Sequence, residues 1–195
     1  MFRHAHYGDR DELYAIWRYC FGDSEAFTGW FFSERFLPEY CAVWEDDGRL
    51  VCAAHSLPVH LRVRGTILPA AVIAGVATLP EYRGRGIMRA MLTEQLRYLR
   101  NAGLPIVIYR PVDFAIYRSL QHYPVADKTF LTLPSSAPRP RHVPGVEVRV
   151  INADRSLDAL YSVYSRVSSR YSAGVVRSYA DFAFKYRDYA SDGIC

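Results

Sequence analysis

Apolar residues recur at three- and four-residue steps through Leu13, Ile16, Trp17 and Cys20, which places them on one face of a helix running from an Asp9 cap to about Cys20. A second short helix follows Ser24 and carries Phe27, Trp30 and Phe31. At Tyr40 the pattern changes. Cys41 to Trp44 is a short apolar run, Asp46-Asp47-Gly48 is a hairpin signal, and Leu50 to Leu57 reads as the return strand. Val59 to Val63 reads as a third strand, turned by Arg64-Gly65 into the long run from Thr66 to Thr78. The chain is expected to form a meander here.

Helical spacing then resumes. Ile87, Met88, Met91, Leu92, Leu96 and Leu99 form an apolar stripe on a helix from about Arg85 to Asn101, with Arg89, Glu94, Arg97 and Arg100 outside it and Gly103 ending it. Pro105 to Tyr109 reads as a short buried strand. Pro111-Val112-Asp113 leads into a short helix from about Phe114 to Leu120, and Thr129 to Leu133 reads as a last strand. The segment 134–145 holds Pro134, Pro138, Pro140 and Pro144 and reads as a linker. Beyond it, Val146 to Ile151 suggests a fresh strand, and Leu157, Leu160, Tyr161 and Tyr164 suggest a helix over Ser156 to Ser168.

The expected organisation is therefore an α/β domain with a mixed sheet over residues 1–133, a linker over 134–145, and the start of a second domain over 146–195. That last part is too short to complete a mixed domain, so the chain is expected to be part of a longer one. A strand followed by an amphipathic helix occurs at Phe2 to Cys20 and again at Val146 to Ser168, which hints at an internal duplication.

Composition narrows the function classes. Of the 195 residues, 50% are hydrophobic and 14% aromatic, enough for a sizeable core. The net charge of +4 is spread along the chain rather than gathered into a tract, so it suits a small anionic ligand and points away from nucleic acid. Charge enters too early at the N-terminus for a secretory signal, and the apolar run Ile67 to Leu79 is broken by Pro69 and falls short of the roughly 20 residues that a membrane helix needs. A cytoplasmic protein without a membrane span is expected. Cys20, Cys41, Cys52 and Cys195 form no Cys-x-x-Cys pair and have no histidine at metal-ligand spacing, so reduced thiols and no metal are expected.

The candidate chemistry sits where the long strand ends, at Gly75-Val76-Ala77-Thr78-Leu79-Pro80-Glu81-Tyr82-Arg83-Gly84-Arg85-Gly86-Ile87-Met88-Arg89. The order reads as strand, anion-binding turn, helix. Gly84 and Gly86 allow close backbone approach, and the N–H groups of a helix start hold negative charge without a side chain. A phosphate-bearing cofactor is the expected guest. No Gly-Lys-Ser/Thr follows the glycines, and no Gly-x-Gly-x-x-Gly is present, which excludes a Walker loop and a dinucleotide fingerprint.

The motif resembles that of the GCN5-related N-acetyltransferases (GNAT), in which Arg or Gln, two residues, Gly, one residue and then Gly or Ala follow in order; here Arg83 and Gly86 match, and Met88 takes the last place. Val76-Ala77-Thr78, Arg83 to Met91, Pro105 and Ile116-Tyr117-Arg118 together are similar to the enhanced intracellular survival (Eis) acetyltransferases, which tolerate a large residue at that place. The resemblance covers most of residues 1–133. It implies a central mixed, mostly antiparallel sheet flanked by helices, acetyl-coenzyme A as co-substrate, and a primary amine acceptor, either an aminoglycoside-like polyamine or a lysine. It also implies two acetyltransferase-like lobes in the full-length protein, which would form a homo-oligomer.

The resemblance further implies roles. Val76, Ala77 and Thr78 would lie along the pantetheine arm, with Val76 and Thr78 offering backbone groups as to an added strand. Arg83, Gly84, Arg85, Gly86, Ile87, Met88 and Arg89 would hold the pyrophosphate, with Val112 and Asp113 flanking the cofactor farther on. Tyr117 stands at the place of the family's catalytic tyrosine and would protonate the departing thiolate. In that family the general base is the carboxylate at the C-terminus of the full chain, so these 195 residues are expected to bind the cofactor weakly and transfer acetyl poorly. The competing reading is a non-catalytic lobe that binds coenzyme A or serves assembly.

Other residues compete for roles. Tyr98, Tyr109 and Tyr123 compete with Tyr117, which considered alone reads as a packing tyrosine and is singled out only by its Ile-Tyr-Arg context. His55 and His60 alternate into the meander and read more readily as satisfied sheet histidines than as bases. Cys52 reads as packing rather than as a nucleophile. Phe21, Asp23, Glu25, Phe27, Trp30, Phe31, Phe32 and Glu34 pair acids with aromatics as a wall for a cationic amine, or else pack inward as a helical hairpin.

Overall fold

The structure, a computed structural model, describes residues 1–127, 130, 132–134, 136, 144–147 and 153–191, with side chains of 153–155 and 188–191 excepted. The strands expected at Thr129 to Leu133 and Val146 to Ile151, and most of the proline-rich segment between them, fall partly or wholly outside these residues. So does Cys195.

The described elements are β1 (Phe2–His4), α1 (Arg10–Phe21), α2 (Glu25–Glu34), β2 (Cys41–Asp46), β3 (Arg49–Val63), β4 (Thr66–Thr78), α3 (Ile87–Asn101), β5 (Ile106–Tyr109), α4 (Ala115–Arg118), α5 (Ala153–Ser168), β6 (Ala173–Val176) and α6 (Tyr179–Ser191). The sheet runs β1-β2-β3-β4-β5, with β6 paired to the far end of β3. Every pairing is antiparallel except β4 with β5. The architecture is α/β, with a mixed, mostly antiparallel sheet flanked by helices.

Strand alternation divides the core between two faces. Cys41, Val43, Val51 and Ala53 pack with Leu13, Ile16 and Trp17 of α1 and Phe31 and Phe32 of α2. Ala42, Cys52, Ala54, Ala71 and Ile73 pack with Met91, Leu92 and Leu99 of α3. Burying each of the larger aliphatic side chains contributes about 1.5–3 kcal/mol before the entropy of ordering them is counted. The stripe predicted on α3 is the buried face, with one addition: Gln95 is fully buried and bonds Ser56 Oγ at 2.9 Å, the Tyr40 carbonyl at 3.1 Å and His4 Nε2 at 3.0 Å. A polar side chain is tolerated there because its hydrogen bonds are made.

Both hairpin turns form where the sequence predicts them, with positive φ at Asp47 and Gly48 and again at Arg64 and Gly65. Ser24 caps α2, its hydroxyl accepting from Phe27 N–H at 3.1 Å.

Two expectations are corrected. Asp9 precedes α1 but does not cap it; its carboxylate accepts from His6 N–H at 2.8 Å and pairs with Arg3 at 2.7 Å. Burial alone would raise the Asp9 carboxyl, yet the Arg3 hydrogen bonds hold it below the usual range. Secondly, Leu50 to Leu57 and Val59 to Val63 are one strand, because β2 pairing stops at His55 and β6 pairing starts at His60. Pro58 falls in that gap, where a missing N–H interrupts no ladder on that side. After α5 the chain supplies β6 and α6, with the Arg35 guanidinium 5.3 Å from the Trp30 ring of α2 and 4.6 Å from the Phe184 ring of α6.

Candidate active site

β4 and β5 make a fork. Their parallel register runs from Ala70 opposite Ile106 to Ile73 opposite Tyr109 and then stops, so among the described residues Ala74 to Thr78 have no strand partner on that edge, while β3 still pairs Ala77 and Thr78 on the other. Between Ala77 and Ala74 the register slips, with Gly75 and Val76 set against Ala54 in a β-bulge. Gly75 has φ +57°, and a Cβ there would lie 2.1 Å from the Trp17 ring. The bulge needs a glycine both for its backbone and to seat that indole.

Alternation then sorts the three residues expected along the cofactor. Leu79 N–H donates to the Val51 carbonyl at 3.0 Å, so Ala77, two residues earlier, also turns its backbone groups toward β3. Thr78 and Val76 turn theirs to the vacant edge. Ala77 itself is buried. The Thr78 carbonyl is engaged by Arg83 Nε at 3.0 Å, which ties the strand end to the turn that follows.

That turn has positive φ at Gly84 and Gly86, and a Cβ at either position would meet nothing within 4 Å. Gly86 is the N-cap of α3 and brings no side chain to satisfy the helix start. The ladder of α3 begins with Ala90 N–H donating to the Gly86 carbonyl at 3.0 Å, which leaves Ile87, Met88 and Arg89 N–H as the open first turn. Negative charge is favoured there. Arg85 is folded back, donating to the Glu81 carbonyl at 2.9 Å and lying over the Tyr82 ring at 4.9 Å. Arg89 is exposed and borders, with Gly86, Thr93, Phe2 and Trp44, an open groove of about 450 Å³.

Met88, bulky for its place in the motif, is partly buried against the cluster on the α3 face of the sheet. Its side chain is spent on packing, and only its N–H stays at the turn. The same cluster gathers Val76, Ile87, Tyr109 and Tyr117. Side chains of β4, α3, β5 and α4 therefore pack against one cluster on the α3 face of the sheet.

Tyr117 lies in the middle of α4, half-buried, its ring 4.7 Å from that of Tyr109. Burial pushes its phenol above the usual range, so it carries a proton at neutral pH. Asp113 sets the start of this short helix by accepting from Ala115 N–H at 2.8 Å, whereas Val112 is fully exposed.

The rival residues are also located. Cys52 is buried, bonded to Thr78 Oγ1 at 3.1 Å and pushed by burial to about 11, so it is a neutral packing thiol. His55 is not the satisfied sheet histidine expected: its buried Nδ1 has no hydrogen-bond partner among the described residues and sits among the Trp17, Phe31, Phe32 and Phe36 rings. Phe31 and Phe32 are core and do not wall a pocket. Asp23 accepts the Trp17 indole N–H at 2.8 Å. Tyr109, one of the tyrosines competing with Tyr117, is the last residue of β5, its ring 4.7 Å from that of Tyr117 and 5.0 Å from that of His122.

Among the described residues no cluster of three His, Cys, Asp or Glu could hold a metal, and no helix is long and apolar enough to cross a membrane.

Comparison with known proteins agrees with this fold. The family model described as an acetyltransferase (GNAT) domain matches residues 1–124. The N-acetyltransferase Eis of Mycobacterium tuberculosis (strain ATCC 25177 / H37Ra) is 26% identical over 166 residues, covering 78% of this chain and 40% of the relative. The chain thus spans about 40% of the length of the curated relatives it matches. A GCN5-related N-acetyltransferase from Kribbella flavida superposes with a TM-score of 0.57 at 25% identity, over 62% of this chain and 32% of that one. The aminoglycoside N-acetyltransferase AAC(6')-Iy, in complex with CoA, shares the fold at a TM-score of 0.57 and 15% identity, over 68% of this chain and 93% of that one. With the family model spanning well over half of its residues, the chain belongs to the acetyltransferase (GNAT) family and is Eis-like within it.

Proposed function

We propose that this chain transfers an acetyl group from acetyl-coenzyme A to a primary amine by direct attack. One observation carries the reading: the β4 edge left by β5 among the described residues and an α3 start without a side-chain cap follow each other in the chain, and Val76, Ile87, Met88 and Tyr117 pack against one hydrophobic cluster. The residues fit such a co-substrate. A vacant strand edge suits an amide-bearing arm, and an N-terminal helix turn with open space at Gly84 and Gly86 suits a pyrophosphate.

In this reading Val76 and Thr78 hold the arm by their backbone groups. The N–H groups of Ile87, Met88 and Arg89 hold the pyrophosphate, and Arg83, Arg85 and Arg89 supply positive charge around it. When bound, acetyl-coenzyme A supplies the acetyl group as an activated thioester. Tyr117 holds the proton that the departing sulfur needs, at an oxygen kept neutral by burial. Backbone N–H groups near Val76 polarise the acetyl carbonyl.

For the acceptor, the names of the relatives support an amine, either an aminoglycoside-like polyamine or a lysine. Thiol release from acetyl-coenzyme A in the presence of an aminoglycoside, a linear polyamine or a lysine peptide tests the reading. Release that depends on one of these amines is expected. Cofactor binding without transfer to any of them would instead favour a coenzyme A-binding lobe.

A further inference from the structure

At the closed end of the fork, β4 and β5 pair for the last time at Ile73 and Tyr109, and the next β4 residues are Ala74, Gly75 and Val76. Among the described residues these have no strand partner on the β5 side, while Ala74 stands opposite His55 on the β3 side. On the α3 face of the sheet, Val76, Tyr109 and Tyr117 belong to one packed cluster, with the two tyrosine rings 4.7 Å apart. The Tyr109 hydroxyl in it is buried and has no hydrogen-bond partner among the described residues.

On the opposite face the space beside Gly75 is taken by Trp17. A Cβ built on Gly75 would lie 2.1 Å from Cζ3 of the indole and 2.8 Å from its Cε3 and Cη2, so the ring edge presses on the backbone of the bulge. The indole is only 6% exposed and is held from behind: its N–H donates to Asp23 Oδ2 at 2.8 Å, and its ring lies 4.5 Å from Phe31, 5.3 Å from His55 and 5.9 Å from Phe32. It has no room to turn aside.

The inference rests on the proposed reading of the co-substrate. In that reading the pyrophosphate meets the start of α3, the arm follows Thr78 and Val76, and the thioester carbonyl meets N–H groups near Val76. The acyl carbons are then the part that reaches farthest toward Ile73. Ahead of them stands the β4–β5 pairing, held in register by its backbone hydrogen bonds. On one side stands the tyrosine pair, and on the other Ala74 and Gly75 carry almost no side chain, so the wall there is the Trp17 edge, backed by His55. Interiors packed at this density do not take up further methylenes without displacing a neighbour.

We infer that Trp17 is a specificity-determining residue: the edge of its indole restricts the donor to a short acyl group such as acetyl. Of the walls around the closed end, it is the one that a substitution can lower without touching Tyr117 or the strand pairing.

Calorimetry of acetyl- and butyryl-coenzyme A without any acceptor amine tests this on the wild type, Trp17→Leu and Trp17→Phe. The wild type is expected to bind butyryl-coenzyme A at least about tenfold more weakly than acetyl-coenzyme A, the scale on which an apolar pocket discriminates methylenes. In Trp17→Leu that gap should close or reverse, because the vacated volume accepts the longer chain, and Trp17→Phe should fall between. A Trp17 that only supports the fold would weaken both donors alike, and a wild-type ratio in the variants would overturn the inference. So would equal affinities for the two donors in the wild type, a result that needs no variant to fold. Conversely, a chain that binds the two donors unequally yet transfers acetyl to no amine would overturn the proposed function and leave the acyl stop standing.

Discussion

The indole of Trp17 occupies the space that any side chain on residue 75 would need, and a Cβ built on Gly75 would come within 2.1 Å of its ring. Trp17 is fixed from the other side by its N–H bond to Asp23 and by ring contacts with Phe31, Phe32 and His55. The bulge that ends the β4–β5 pairing and the aromatic core of α1 and α2 are therefore locked together. Gly75→Ala should destabilise the fold by about 2–4 kcal/mol, combining the strain of a positive φ with overpacking. Combining it with Trp17→Leu should cost less than the sum of the two changes, as read from denaturant midpoints in a double-mutant cycle. Additive losses would show that the two residues are not coupled.

Gly86 tests the anion cradle. Its φ of +76° is one that Asp and Asn tolerate better than other residues, and open space surrounds it. Gly86→Asp should leave the fold intact while lowering affinity for acetyl-coenzyme A at least about tenfold, because a carboxylate would compete for the N–H groups of the first turn of α3. Gly86→Asn carries the same backbone strain without the charge and should lose much less. Calorimetry showing equal affinities for the two variants would separate the turn from phosphate binding.

His55 gives the chain a pH-dependent stability. Burial lowers its pKa from 6.5 to about 3, so in this window the unfolded chain takes up a proton that the folded chain refuses. Stability is then complete above about 6.5 and falls as the pH drops toward 3, by about 1.4 kcal/mol per pH unit from this group. Asp9, held low by Arg3, adds its loss only below its ordinary value of 3.8. Chemical denaturation between pH 6.5 and about 4.5 therefore reads His55 together with His122, which burial also lowers, and the His55 share is the part lost in a His55 variant. His55→Leu should flatten that slope and match or exceed wild-type stability at neutral pH, since the unpartnered nitrogen is gone. An unchanged slope in the variant would assign the effect elsewhere.

What could be read from the sequence is what local chemistry determines. The stripes of α1 and α3, the two glycine-bearing hairpin turns and the strand–turn–helix motif all follow from spacing and from positive φ at Gly48, Gly65, Gly84 and Gly86. What escaped depends on partners far along the chain. Pro58 continues a strand because of where β2 and β6 end. Phe31 and Phe32 are core because Trp17 and His55 meet them there, and Gln95 is buried because Ser56 and Tyr40 satisfy it. At the candidate site, the strand–turn–helix order of the motif was legible from the sequence, whereas Tyr117 was singled out only by its resemblance to the family's catalytic tyrosine. The need for Gly75, the turn of Met88 into the core and the unpaired hydroxyl of Tyr109 were not legible, because each is set by a side chain packed from another element.

The central claim is acetyl transfer to an amine with Tyr117 as the proton donor. Amine-dependent release of thiol from acetyl-coenzyme A should be measured for the wild-type chain and for Tyr117→Phe, with cofactor affinity followed by calorimetry in both. The expected result is release by the wild type only when an amine is present, a fall in kcat of about a hundredfold or more in Tyr117→Phe, and unchanged affinity. Tyr117→Phe turning over at the wild-type rate, or thiol release that ignores the amine, would contradict it.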